Sequence, residues 1–356
     1  MYPSKGDPSF GVFVKNFYDY LSNKNGLENT SLIAIKGKPK SKYEKVRKYF
    51  CFYFKATCCL VFKKYDLVYV HFITYPAVPL RIASLFKEIP MAFNIHGSDW
   101  ITHSFFAKIL KTLAHPLIIK AKLVVVPSTV FKTIVKEGLP EIDEKKIKVS
   151  YSGGVDTNFF KPIVALKKED SITIGYVSRI IENKGWKLFV EAVRLLKENG
   201  IKVKAIMAGG GSQENELLML LNRYSLNDDI EYLGAVAQEY LPALYNRMDI
   251  FIFPTLFYES LGLVGVEAMA CGTPVISTNQ GGPMEYVEEG INGYTFEKGN
   301  VKDLCYKIEK YIYQSDLKKK IMSKNAIATS HRFERGIVMN TLMKDIEDIV
   351  DKQGYE

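Results

Sequence analysis

The 356-residue sequence has little cysteine and uses it without pattern: five residues, none in a Cys-x-x-Cys pair and none at zinc-like spacing. An odd count with no framework argues against a disulfide-stapled secreted domain and for a reducing compartment. Long hydrophobic runs are also missing. No apolar stretch approaches the roughly 18 residues that a membrane-spanning helix needs, and the most lipophilic one, HPLIIKAKLVVVP, is broken by two lysines. The first residues, MYPSKGDPSFG, are polar turn formers rather than the pattern of a secretory leader. There is no internal repeat and no low-complexity tract. No convincing Asp-x-Asp metal motif occurs; Asn227-Asp228-Asp229 precedes a strand-like run instead of following one. These absences leave a cytoplasmic globular protein, and at this length two domains of ordinary size, as the expectation.

What is present is an uneven charge. Residues 1–150 carry 24 Lys and Arg against 11 Asp and Glu, a net of +13, whereas residues 151–356 carry 24 against 28, a net of −4. Such asymmetry points to an anionic partner on the N-terminal side. Its densest part, KGKPKSKYEKVRKYFCFYFKATCCLVFKKY, interleaves lysines with Phe, Tyr and Leu. That mixture suits an anionic membrane surface, cations at the headgroups and aromatics at the interface. A lysine-rich solvated face is the plainer alternative. Nucleic acid is not expected, because no recognisable binding motif accompanies the charge.

Short β-branched runs alternate with longer helical patterns along the whole chain. DLVYVHF, MAFNIHG, KLVVVPS and KIKVSYSGG are separated by helix-like stretches, and a second series starts at SITIGYVSR and runs through KVKAIMAGGG, DIEYLGAV, DIFIFPT and TPVIST. This alternation predicts an α/β protein with two doubly wound parallel-sheet domains. The seam is expected near GGVDTNFFKPIVALKKEDS, rich in Gly, Pro and charge and without periodicity. Two such domains facing across a cleft would present the C-terminal ends of their strands to one another, where open α/β folds bind ligands.

The chemistry-bearing residues fall at those strand ends. Arg179 and Lys184 follow ITIGYVS, Gly209 to Ser212 follow KAIMA, Glu259 follows DIFIFP, and His96 to Asp99 follow AFNI. Singly, each has a plain explanation: a tight turn for the glycines, surface cations, a satisfied loop histidine. Their joint placement at consecutive strand ends is harder to assign to chance. The run YESLGLVGVEAMACGTPVI adds two carboxylates, Glu259 and Glu267, in an otherwise apolar setting. Ser260 is expected to cap a helix over Leu263 to Ala270, with Gly272 at C′ and Pro274 beyond. The start of that helix offers the amides of Gly262 and Leu263 to a phosphate. A carboxylate with about four acceptor sites can take both hydroxyls of a ribose. Two carboxylates beside an amide-rich helix start, with Arg and Lys opposite, suit a sugar–diphosphate–nucleoside.

YESLGLVGVEAMACGTPVI resembles the E-x7-E signature of retaining glycosyltransferases of family 4, which have the GT-B fold of two Rossmann-like domains. GYVSRIIENKGW is similar to that family's strand–Arg–x4–Lys–Gly segment, and NQGGPMEYVEEGINGYTF to its GG–E–NG segment. SYSGGVDTNFFKP resembles the linker, where many members have Asn-Gly-Val-Asp; Ser152 and Gly153 depart from that. YPSKGDPSFGVFVKN and HGSD resemble the N-terminal loops on the donor and acceptor sides. The likeness spans nearly the whole chain and is most specific over residues 175–296.

The resemblance implies an acceptor-side domain over residues 1–157, a nucleotide-sugar domain over 158–330, and a C-terminal helical segment, 331–356, packing back toward the first domain. It assigns ribose binding to Glu267, sugar hydroxyls to Glu259, and neutralisation of the diphosphate to Arg179 and Lys184. Gly262 and Leu263 would offer amides, Val236 would meet the base through its backbone, and Gly209 would belong to the donor site. His96 would face the sugar, and Gly11 would let the first loop approach the phosphates. The implied reaction moves a hexosyl or N-acetylhexosaminyl group from a UDP- or GDP-sugar to an oligosaccharide or lipid-linked acceptor, with no metal. Cell-surface polysaccharide or glycolipid synthesis at the inner face of the plasma membrane would be its setting. Family members usually begin with a buried strand before the YPS loop, so the resemblance implies either that this first strand is absent or that the true start lies upstream of Met1. Two other classes stay open: a related GT-B phosphorylase or epimerase, and a non-catalytic nucleotide-sugar binder.

Overall fold

The computed structural model describes residues 1–5, 10–23, 30–102, 104–163 and 171–353. Residues 6–9 of the N-terminal turn stretch and 164–170 of the expected seam, on which the sequence reading drew, lie outside the described residues. The chain divides into two compact units: Met1–Gly153 with Val338–Glu356, and Gly154–Ile337. The division falls between Gly153 and Gly154 rather than after residue 157. Gly154 has φ +75°, and a Cβ there would sit 2.7 Å from the Phe333 carbonyl oxygen, so only glycine lets the two strands of chain approach this closely. Beside it, Val155 donates to the Phe333 carbonyl and accepts from the Arg335 amide, at 2.8 and 2.9 Å.

In the first unit the elements are α1 (Val12–Asn23), α2 (Lys42–Phe62), β1 (Val68–His71), α3 (Ala77–Ala83), β2 (Met91–Asn94), α4 (Phe105–Lys120), β3 (Leu123–Val126), α5 (Thr129–Gly138) and β4 (Ile147–Val149). Two helices correct the sequence reading. Residues 12–16, part of the stretch compared with a family loop, open the helix Val12–Asn23, and the Lys/aromatic run, given no element in the sequence reading, forms a 21-residue helix whose N-cap, Ser41, accepts from the Glu44 amide. The strands form one parallel sheet in the order β1-β2-β3-β4, with Val68 opposite Met91, Ala92 opposite Leu123 and Val124 opposite Ile147. Both faces are covered, which is why LVVV of β3 is apolar throughout and wholly buried. One face packs Val70, Phe93, Val124 and Val126 against Leu60 of α2, Leu80 of α3, Leu117 of α4 and Phe131 of α5. On the other, Ala92, Leu123 and Val125 meet Phe17 and Leu21 of α1, together with Met339, Leu342, Met343 and Ile346 near the C-terminus.

The second unit contains β5 (Thr173–Val177), α6 (Trp186–Glu198), β6 (Lys204–Ala208), α7 (Glu214–Arg223), β7 (Ile230–Tyr232), α8 (Leu241–Arg247), β8 (Ile250–Phe253), α9 (Leu263–Ala270), β9 (Val275–Thr278), β10 (Gly293–Phe296), α10 (Val301–Ile312) and α11 (Asp316–Ser330). The last helix, α12 (Arg335–Gln353), supplies the C-terminal residues of the first unit from Val338 onward. The sheet is parallel and doubly wound, in the order β10-β9-β8-β5-β6-β7. The chain leaves β5 toward β6 and β7, then returns to β8 on the other side of β5 and runs outward to β10. The strand order therefore reverses between β5 and β8, and at such a switch point the connections diverge to opposite faces and leave a crevice at the strands' carboxyl ends. Among the described residues no helix is long and apolar enough to cross a membrane.

Candidate functional site at the switch point of the second sheet

The loops leaving β5 and β8 are zipped together by backbone bonds. The Asn183 carbonyl accepts from the amides of Leu256 and Phe257 at 2.9 and 3.0 Å. Gly185, at φ +73°, lies so close to Pro254 that a Cβ would be 1.7 Å from its carbonyl oxygen. This contact places Lys184, one residue earlier, against the β8 loop, where its ammonium donates to the Glu259 carboxylate. Both side chains are largely buried, 15% and 12% exposed, and the same carboxylate oxygen accepts from the Thr255 hydroxyl at 3.2 Å. Lys184 and Glu259 are 75 residues apart in sequence and adjacent because β5 and β8 are neighbours. Arg179, on the same side of the sheet after β5, is exposed, and its guanidinium has no ion-pair partner among the described residues.

The expected cap is corrected by the structure. Leu261 is fully buried, and the helix begins at Leu263 after Gly262, which takes the left-handed conformation at φ +82°. A Cβ on Gly262 would be 2.5 Å from the Phe253 ring, and its carbonyl accepts from the Tyr286 hydroxyl at 2.9 Å. Gly262, not Ser260, is therefore the N-cap, because only glycine turns this tightly against the ring. The amides of Gly262, Leu263 and Val264 make no bond among the described residues, as the first N–H groups of a helix lack intrahelical acceptors. At the other end Gly272 takes φ +81° past Cys271, the expected C′ position.

One turn into α9, Glu267 accepts from the Tyr245 hydroxyl at 3.0 Å. Burial pushes its carboxyl up to about 7, against the opposing effects of Tyr245 and Arg335. Tyr245 and Thr255 were not anticipated. Tyr245 comes from α8, and nothing local marks a tyrosine 22 residues before its partner.

The glycine loop after β6 is explained mainly by close packing. Cβ atoms on Gly209 and Gly211 would lie 1.8 and 2.2 Å from the carbonyl oxygens of Ser178 and Ile180. The Gly209 amide donates to the Gly234 carbonyl at 2.7 Å, and that of Gly211 to the Glu214 carboxylate at 2.7 Å. Val236 follows β7 in a half-buried loop.

Two expected residues belong to the first unit. His96 follows β2, its ring packed on Phe13 and Phe72, its Nε2 3.1 Å from Nδ1 of His71. Burial lowers His96 to about 3 and His71 well below the usual histidine value, so both rings are neutral at pH 7. Asp99, which accepts from the amides of Ile73 and His96 at 2.9 Å each, is pushed up to about 6 by burial. It fixes the loop that carries His96, a role the sequence reading did not assign. Gly11, at φ +74°, accepts from the Val14 amide and so opens α1. A cavity of about 590 Å³ also lies in this unit, lined by Val14 and Phe17 of α1, Ala56 and Leu60 of α2, and Val70 of β1. Its wall is mostly apolar, with Lys63, Lys64 and Asp66 also lining it, and it contains none of the candidate residues of the second sheet. Among the described residues no group of three or more His, Cys, Asp or Glu is placed to hold a metal ion.

Comparison with known proteins agrees with this geometry. The chain is 30% identical over 189 residues to the capsular polysaccharide biosynthesis glycosyltransferase CapM of Staphylococcus aureus, covering 50% of this chain and 48% of that one. It is 28% identical over 177 residues to the GDP-mannose-dependent alpha-(1-6)-phosphatidylinositol monomannoside mannosyltransferase of Mycobacterium tuberculosis, covering 46% of each. The matched stretch thus spans about half the length of these relatives. The crystal structure of Anabaena HepE with UDP-glucose superposes with a TM-score of 0.70 over 88% of this chain and 85% of that one, at 24% identity. That likeness shows the GT-B fold of two Rossmann-like units. Residues 158–329, which hold the whole switch-point site, match the family of glycosyl transferases group 1.

Proposed function

We propose that the protein is a retaining glycosyltransferase of family 4 that moves a hexosyl or N-acetylhexosaminyl group from a UDP- or GDP-sugar to a saccharide or lipid-linked acceptor. The observation that carries this reading is the meeting of Lys184, Glu259 and the unbonded amides of Gly262 and Leu263 at the strand ends where the second sheet reverses. Residues 158–330 take the donor. An ammonium has three N–H donors, so Lys184 can hold Glu259 and still reach a phosphate oxygen. Arg179, exposed and unpaired among the described residues, supplies the second cation. As the glycosidic bond breaks, charge grows on the departing diphosphate, and fixed cations aimed at that charge lower the barrier without reorganising. Glu259 orients the transferred sugar, and Glu267, held by Tyr245, accepts the ribose hydroxyls. No metal is required in this scheme.

Residues 1–157 take the acceptor, with His96 as the neutral imidazole on the sugar side and Gly11 near the phosphates. The names of the Staphylococcus and Mycobacterium relatives support a setting in surface polysaccharide or glycolipid synthesis, and the proposal puts that work on the cytoplasmic face of the membrane. A panel of UDP-, GDP- and ADP-sugars scored by thermal shift tests the reading, since a ligand at 100 times its Kd stabilises by about 2.7 kcal/mol. One base should stand out. Donor hydrolysis without acceptor then separates an enzyme from a binder. A panel without any shift would remove the proposal.

A further inference from the structure

The first unit turns a strongly apolar surface outward. Along α2, Tyr43, Val46, Phe50 and Phe54 recur at intervals of three and four and so lie in one stripe. Phe50 and Phe54 are 68% and 65% exposed, their rings stacked at 6.4 Å. They are not the residues that hold α2 to the core, a task left to Ala56 and Leu60. α3 packs against α2 and α4 against α3, and all three cover the same face of the sheet. Just past α3, Leu85 and Phe86 are exposed. On α4, Phe105, Ile109 and Leu113 repeat every four residues and are exposed too.

Cations frame this surface. Between residues 36 and 64 there are ten Lys and Arg and a single acid, Glu44, which is neutralised by Lys48 at 3.0 Å. Arg81, Lys87 and Lys108 lie beside the α3 and α4 residues, with Glu88 as the exposed acid among them. Exposed apolar residues scattered singly are ordinary, but rows of them repeated along α2 and α4 mark an interaction surface. A second copy docking face to face would bring the two cation sets together, so charge complementarity selects an anionic occupant. Among the described residues no helix is long and apolar enough to cross a bilayer, and a surface with aromatics in the centre and lysines around it fits the headgroup layer.

We propose that the outward faces of α2, α3 and α4 form a monotopic docking surface for membranes containing anionic lipid, entered by Phe50, Phe54, Leu85 and Phe105. The proposal rests on the reading of the N-terminal half as the membrane-facing side and turns it from charge attraction into insertion of named side chains. It places a lipid-linked acceptor beside the first unit.

The test is flotation of the full chain with vesicles of phosphatidylcholine, with and without phosphatidylglycerol. The protein should float with the anionic vesicles, less as salt rises, because exposed charges are screened within about 8 Å at physiological ionic strength. The double variant Phe50→Ser/Phe54→Ser should lower the partition constant by at least about tenfold, the loss of a fraction of two aromatic burials. Its melting temperature should not change. Lys42→Gln, Lys45→Gln and Arg47→Gln should each lower anionic binding about fivefold at low salt. Equal partitioning to both vesicle types, or a Phe double variant that floats like wild type, would overturn the proposal. So would a wild-type dimer that this variant dissolves while vesicle binding persists. UDP-glucose binding measured without vesicles should be the same in all variants; if wild type binds vesicles but no nucleotide-sugar, the transferase reading fails and this one stands.

Discussion

Lys184→Ala removes an ammonium that holds Glu259 and, in the proposed reaction, meets the diphosphate. The structure separates the two consequences. With Lys184 gone, Glu259 keeps the Thr255 hydroxyl at 3.2 Å in a site where its side chain is 12% exposed. Breaking a buried ion pair from one side costs about 3–5 kcal/mol, because a charge stays behind unpaired. The remaining hydroxyl bond and the residual solvent contact reduce this to about 2 kcal/mol. In a unit of this size each kcal/mol moves Tm by about 2–4 °C, so scanning calorimetry should record a fall of roughly 4–8 °C. Adding Glu259→Gln removes the stranded charge and should restore most of that fall. Turnover should not follow. Losing one electrostatic contact to a developing anion costs on the order of 10²–10³ in kcat, and kcat for nucleotide release should stay down by at least that factor in both variants. If the double variant recovers kcat together with Tm, or the single variant keeps wild-type kcat, Lys184 is a structural counter-ion and the catalytic assignment is wrong.

Glu267 should make donor binding depend on pH. Its carboxyl titrates at about 7 when folded against 4.5 in the reference state, so its stabilising contribution is present below 4.5 and lost as pH rises through 7. Ribose hydroxyls favour the ionised form, which grows from roughly a tenth of molecules at pH 6 to nine-tenths at pH 8; the apparent Kd for a nucleotide-sugar should fall by up to about tenfold across that interval. Calorimetric titration that finds no change, or a change of opposite sign, would contradict the ribose role. Glu267→Gln should raise Tm at pH 8 and leave it nearly unchanged at pH 4, while weakening the nucleotide-sugar at pH 8. Gly185→Ala drives a Cβ to within 1.7 Å of the Pro254 carbonyl and should destabilise the second unit by more than about 3 kcal/mol, read as loss of soluble protein or a fall in Tm beyond 6 °C.

The parallel α/β architecture was legible because parallel strands buried on both faces read as unbroken β-branched and aromatic runs; VVV of β3 and IFIF of β8 need no partner to be recognised. Element order alone also put Arg179, Lys184 and Glu259 at strand ends, with Glu267 in the helix that follows. It could not say which of them touch, because that depends on β8 returning beside β5. Nor could it place the helix cap. Ser260 has the better capping side chain, but Leu261 is drawn into the core and Gly262 makes the turn against Phe253. The helix α2 was missed for a related reason: its Phe50 and Phe54 face outward, so its apolar residues do not mark a buried face. Tyr245 and Asp99 act through contacts with Glu267 and with the His96 loop that no local pattern announces.

The central claim is sugar transfer, with retention, at the switch-point site of the second sheet. Proton NMR of the full chain with an α-linked nucleotide-sugar and excess chelator tests it most directly, by the anomeric signal of the first product released to water or to an added acceptor. The account predicts an α-configured product, formed with chelator present, and a rate that falls by about 10²–10³ when Arg179 or Lys184 is replaced by alanine. A β-configured first product, turnover abolished by chelator and restored by added metal, or undiminished turnover in both variants would contradict it.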